Sequence, residues 1–135
     1  MKCPRDGTEL AKLRILGLDL DKCHTCDGIW CDRGELERLR DARRNNLEES
    51  IERIYGNPQV KPGTVKGFMK CPKGDGRLQR QVYSFTQLVQ TDRCESCLGV
   101  WLDDRELDAI INAQKDLDDA GRAMHKTAIL RAMGR

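Results

Sequence analysis

Between Leu10 and Asp21 the apolar positions Leu10, Leu13, Ile15, Leu16, Leu18 and Leu20 partly alternate around Gly17. A period near two with a glycine at its centre predicts a β-hairpin turning at Gly17. The period then lengthens: Leu36, Leu39, Leu47, Ile51 and Ile54 fall on helical spacings, with Asn45-Asn46 as the candidate interruption. The same succession returns later in the chain. Leu78, Val82, Tyr83, Phe85, Leu88 and Val89 predict a second, longer hairpin, and Leu107, Ile110, Ile111, Gln114 and Leu117 a second helix. Its stripe continues through Met124, Ala128 and Arg131, with a break expected at Gly121. Ahead of each helix an aspartate precedes a glutamate by three residues, Asp32 before Glu35 and Asp103 before Glu106. This is capping-box spacing, and it assigns both glutamates a capping role before a chemical one.

Between each hairpin and its helix stands a repeated metal-binding grammar. Cys23-His24-Thr25-Cys26-Asp27-Gly28-Ile29-Trp30 is matched by Cys94-Glu95-Ser96-Cys97-Leu98-Gly99-Val100-Trp101. Two thiolates separated by two residues, on a turn relaxed by a glycine that tolerates positive φ, present both sulfurs to one soft divalent ion. Upstream, Cys3-Pro4 and Cys71-Pro72 open two further arms, each with a leucine seven positions after its cysteine. Each half therefore offers three sulfurs: Cys3, Cys23 and Cys26, then Cys71, Cys94 and Cys97.

Length and composition sharpen this reading. A chain of 135 residues with an internal duplication divides into two small units, and a unit of about 60 residues commonly needs a metal or disulfide as a staple. Aromatic residues at 4% and charged residues at 34% leave little large apolar surface to drive collapse. Gly56-Asn57-Pro58-Gln59-Val60-Lys61-Pro62-Gly63 forbids a continued helix, so the expected organisation is a first unit over 1–55, a linker over 56–64 and a second unit over 65–135. Six of the seven cysteines fall into the two matched sets and Cys31 is left over. No apolar leader and no stretch of membrane length is present, so a cytoplasmic protein with reduced thiols is expected rather than a disulfide scaffold. The formal charge of +2 falls to zero if six thiolates hold two zinc ions, which does not describe a general polyanion binder.

The Cys-Pro arm, the Cys-x-x-Cys-x-Gly-x-Trp knuckle and Asp32-Arg33-Gly34-Glu35-Leu36 resemble the small zinc-finger family named after transcription factor IIB. The likeness covers roughly 3–41 and 71–112. It implies a small α+β, metal-stabilised fold of two zinc-ribbon-like hairpin and knuckle units, each followed by a helix. It also implies two Zn²⁺ per chain, a non-catalytic role and, through the family's name, a link to transcription. The chain departs from the family pattern where a second arm cysteine belongs: Asp6 stands in the first arm, and Gly74 beside Asp75 in the second. Aspartate is an acceptable zinc ligand, so Asp6 and Asp75 are the expected fourth ligands. His24, Cys31 and water are the alternatives. A water ligand would make an open site of hydrolase type, but no general base or phosphate-cradling glycine loop accompanies the cysteines. His125 stands alone in the tail.

Two classes of function follow. The first is an adaptor or regulatory module that binds a protein partner, with zinc supplying rigidity and Trp30 and Trp101 serving as core or as anchors. The second is direct binding of DNA or RNA through Arg14, Lys22, Arg33 and Arg38 in one half and Arg77, Arg80, Arg93 and Arg105 in the other. The basic tail residues Arg122, Lys126, Arg131 and Arg135 would assist. Arginines scattered among aspartates make a poor phosphate track, which favours the protein partner. The oligomeric state is left open.

Overall fold

The computed structural model describes residues 1–55, 69–74, 76–84 and 89–133, with the side chains of Tyr55, Ser84 and 122–133 left aside. The expected linker at 56–64, Asp75 and the hairpin-tip residues Phe85 and Leu88 lie outside the described residues.

The first hairpin pairs β1 (Ala11–Ile15) with β2 (Leu18–Lys22), closing at Ile15 opposite Leu18. Its two turn residues, Leu16 and Gly17, have φ of 52° and 76°. Positive φ at both central positions characterises the two-residue turn whose twist suits a hairpin, and Gly17 accepts it without strain. After the knuckle, β3 (Ile29–Cys31) runs back along β2. In the second half β4 (Leu78–Ser84), β5 (Val89–Cys94) and β6 (Val100–Leu102) repeat the pattern.

The two halves join edge to edge. Strands β3 and β6 pair antiparallel, Ile29 opposite Leu102, Trp30 opposite Trp101 and Cys31 opposite Val100. The result is one six-stranded antiparallel sheet in the order β1-β2-β3-β6-β5-β4, a sequence that reads as a palindrome about the tryptophan pair.

Side chains alternate across a strand, so this register sends Trp30 and Trp101 to one face and their strand neighbours to the other. On the far face Leu13, Leu20, Ile29, Cys31 and Leu102 meet helices α1 (Glu35–Ala42), α2 (Leu47–Tyr55) and α3 (Glu106–Met133). Leu36, Leu39, Leu47 and Ile51 from the first half and Leu107, Ile110 and Ile111 from the second are all buried there. Each such side chain contributes about 1.5–3 kcal/mol relative to exposure. The interior thus draws on both halves, and the apolar stripe of the first half's helices is covered by the helix of the second.

The first helical run is interrupted near the asparagines, as the sequence suggested, with positive φ at Arg43 and Asn46. The break expected at Gly121 does not occur: α3 runs unbroken to Met133. One interior glycine costs only about 1 kcal/mol relative to alanine, which a long helix absorbs. Among the described residues no helix is long and apolar enough to cross a membrane.

Candidate metal centres

On the tryptophan face two ligand clusters are built from matching parts. In the first arm the backbone N–H of Cys3 donates to the Thr8 carbonyl at 2.7 Å, and that of Gly7 to the Cys3 carbonyl at 2.9 Å. In the first knuckle the Cys23 N–H donates to the Gly28 carbonyl at 2.9 Å, and the Asp27 N–H to the Cys23 carbonyl at 3.0 Å. The second half repeats these bonds at Cys71 with Gly76 (2.7 Å), Cys94 with Gly99 (3.0 Å) and Leu98 with Cys94 (2.9 Å). Folding the backbone around each cysteine in this way aims its sulfur inward and satisfies the turn's own polar groups.

The knuckle glycines have a different purpose from the one their position suggests. The left-handed residues are their predecessors, Asp27 and Leu98, each with φ of 61°. Gly28 and Gly99 are needed for space. A Cβ on Gly28 would lie 2.2 Å from Cζ2 of Trp101, and a Cβ on Gly99 would lie 2.2 Å from Cζ2 of Trp30. Each tryptophan therefore covers the knuckle of the other half. Both rings are wholly buried, so the choice between core and anchor resolves to an interface within the molecule.

The sulfurs converge. One ligand atom from each of Cys3, Asp6, Cys23 and Cys26 falls within 4.8 Å of every other, and Cys71, Cys94 and Cys97 form a second such group. Cys3 and Cys26 sulfurs are 3.7 Å apart, Cys71 and Cys97 sulfurs 3.6 Å. A tetrahedron with zinc–sulfur bonds of about 2.3 Å has sulfur–sulfur edges of about 3.8 Å. Asp6 is buried, with its carboxylate oxygens 3.4 and 3.6 Å from the Cys23 sulfur, against about 3.6 Å for an oxygen–sulfur edge of the same tetrahedron. Its Oδ1 also accepts the Thr8 N–H at 2.9 Å, which fixes the carboxylate. The donor set fits a tetrahedral thiophilic ion.

All seven cysteines are free. Within the first cluster, hydrogen bonds from Cys26 and Cys3 hold the Cys23 thiol far below its ordinary range, while Cys3, donating to Cys23 and Cys26 and buried, is pushed well above. Burial first, then the Cys97 and Cys94 sulfurs, push Cys71 up to about 12. Neighbouring thiols sharing protons in this way ionise together only when a cation offsets their charge.

Of the alternatives for the fourth ligand, neither His24 nor Cys31 joins a cluster. His24 is half-buried with its Nδ1 atom enclosed and unpartnered. Cys31 lies on the helix face in the apolar core, where burial raises its thiol. The capping boxes form by half. Glu35 and Glu106 accept the N–H groups of Asp32 and Asp103 at 2.7 and 2.9 Å, but each aspartate takes an indole N–H, Trp30 at 3.0 Å and Trp101 at 3.1 Å. A third group, Asp27, Glu52 and Asp104, was not foreseen from the sequence. Lys22 and Arg105 neutralise it, at 3.1 Å from Asp27, 3.2 Å from Glu52 and 3.6 Å from Asp104, and it reads as an ion network.

The sequence pattern of the transcription factor zinc-finger family matches residues 2–42 and 70–113, and each match encloses one complete cysteine cluster. The chain belongs to the transcription factor zinc-finger family, in two tandem copies. No curated protein and no solved structure matches the chain. Family and clusters together support zinc binding. In both copies of the finger the knuckle glycine lies under the partner copy's tryptophan, so the tandem arrangement is built into the site itself.

Proposed function

We propose that this tandem zinc finger is a non-catalytic module that holds two Zn²⁺ ions, through Cys3, Asp6, Cys23 and Cys26 and through Cys71, Cys94 and Cys97, and binds a protein partner. Four protein donors around the first position leave no coordination site for a reactive water, which speaks against hydrolysis. Bound there, the ions supply rigidity, and the chain's own residues supply recognition.

The observation that carries a protein partner over nucleic acid is how the cations are used. Arg80 engages Asp92, Asp103 and Glu106, Arg105 engages Glu52 and Asp104, and Arg14 faces Asp19. Lys22 is buried on Asp27. Half of the residues foreseen as phosphate contacts are thus committed within the molecule, which leaves a weak electrostatic footprint. A protein surface is offered instead between the first hairpin's tip and α2. A cavity there, lined in part by Arg14, Leu16, Arg44 and Ile54 and by no carboxylate, leaves Leu16 38% and Ile54 67% exposed. An acidic segment with apolar anchor residues suits it, and the family's name makes the transcription machinery the first place to look.

Three measurements on the full chain test this reading. Metal analysis is expected to return two zinc ions per chain. DNA and RNA columns are expected to retain nothing even at low salt; retention falling steeply as salt rises would transfer the function to nucleic acid. A discrete partner recovered under gentle lysis is expected to be lost with Ile54→Asp while the fold is kept, and recovery of the free protein alone would count against the module.

A further inference from the structure

The metal-ligand arms are held from across the molecule. Arg5, two residues after Cys3, donates from Nε and Nη2 to both carboxylate oxygens of Asp103 in the other half, each at 2.7 Å. Lys73, two residues after Cys71, places its ammonium 2.7 Å from Oδ1 of Asp32 in the first half. These contacts are mirror images about the palindrome. Asp103 is also the residue that takes the Trp101 indole N–H, and Asp32 the one that takes that of Trp30.

A closed circuit results. From Cys3 the path runs to Arg5, crosses to Asp103, passes to Trp101 and returns through the ring's contact with Gly28 to the knuckle cysteine Cys26. Arg5 touches the ligand directly as well, since its backbone N–H lies 3.4 Å from the Cys3 sulfur. The second circuit runs from Cys71 through Lys73, Asp32, Trp30 and Gly99 to Cys97. Each cluster thus has both of its chain segments braced by one tryptophan–aspartate pair of the opposite half. Outer residues of this kind fix ligand orientation and commonly set metal affinity.

We propose that Asp103 and Asp32 are positioning residues, each for the cluster of the opposite half, so that the two clusters load with metal as one cooperative pair. The inference rests on the metal-holding reading above. It goes further in denying that the two halves behave as independent fingers. An ordered first cluster presents Gly28 and Arg5 to Trp101 and Asp103, and these stand at the entrance of the second half's own helix. Ordering one half therefore removes conformational freedom that the other would otherwise have to lose.

The test is native mass spectrometry of the full chain, metal-free and then given one equivalent of zinc. Cooperative loading predicts mainly empty and doubly loaded chains, with fewer than half singly loaded. A singly loaded population at or above half would overturn the proposal, whereas no zinc uptake at all would overturn the metal-holding reading itself. A second arm reads each cluster by the amide resonances of its knuckle during chelator challenge. Asp103→Asn and Arg5→Gln are each expected to hasten release from the Cys3 cluster about fivefold, the scale of a partly exposed bidentate pair, and the double variant no further. Arg5→Lys should recover part of the loss. Leu39→Val, a core change remote from both clusters, serves as the control for general loosening. Release from the Cys3 cluster in Asp103→Asn no faster than in this control would remove the positioning role.

Discussion

Glu48 and Asp108 cap each other's helices. The Glu48 carboxylate accepts the Asp108 N–H at 3.1 Å, and the Asp108 carboxylate accepts the Glu48 N–H at 3.2 Å. Glu48 also takes the Arg105 N–H at 2.9 Å, so a residue of α2 satisfies two donors at the start of α3. Free donors at a helix start need such partners, and here they are supplied reciprocally between the halves.

This arrangement predicts a pH dependence. Burial of Glu48 outweighs its two N–H bonds and raises its carboxyl from 4.5 to about 7. A carboxyl raised on folding favours the folded state fully below its unfolded pKa, and that contribution is lost as pH rises through the folded one. With metal content held equal, wild type should lose roughly 1–3 kcal/mol relative to Glu48→Gln between about pH 4.5 and 7. Denaturant midpoints of the two proteins across that window check it. A constant difference would show that Glu48 does not titrate there.

Gly28→Ala should destabilise by about 3 kcal/mol, the upper end of the usual overpacking cost, because the new methyl and the Trp101 ring claim one position. Gly99→Ala should match it through Trp30, while Gly74→Ala, with open space around it, should be near neutral. Thermal melts of the three variants suffice. A harmless Gly28→Ala would mean that the rings do not pack across the halves as described.

Asp6→Ala removes the oxygen beside the Cys23 sulfur. Metal release from the Cys3 cluster under chelator should accelerate at least tenfold, since even outer-shell changes cost roughly that much. Asp6→Cys should instead hold metal as firmly as wild type or more so. Equal release rates for Asp6→Ala and wild type would exclude Asp6 as a ligand.

Cys31 offers the reverse contrast. Enclosed in the helix-face core, with its thiol raised by burial, it should resist alkylation in the folded protein. Cys31→Ser should keep the full metal content yet lose about 1–3 kcal/mol, because the hydroxyl finds no partner among aliphatic neighbours. Loss of a metal ion in that variant would reassign the residue to a cluster.

Much of this was legible from residue order. Alternation around Gly17 gave the hairpin, the Cys-x-x-Cys spacing with its Cys-Pro arm gave the clusters, and Asn45-Asn46 marked the helix break, because each depends on residues close in sequence. What escaped depends on contacts between the copies. Gly28 was assigned to a turn because a turn is the local reason for a glycine, whereas the ring that excludes a side chain there lies on Trp101. The basic residues after each Cys-Pro and the aspartates after each tryptophan were visible as repeats. Nothing in a single copy says that they pair crosswise. Gly121 was read as a break, but the local cost of one glycine is small beside the cooperativity of a 28-residue helix.

The sheet is the same seen from either outer strand, but its backing is not: two short helices stand behind one end and a single long one behind the other. A visitor approaching the sulfur side meets two near copies of one landscape and has two equivalent ways to land. Approached from the helical side, the molecule has a left and a right. Any assembly that must place this protein in one direction only has to read its back.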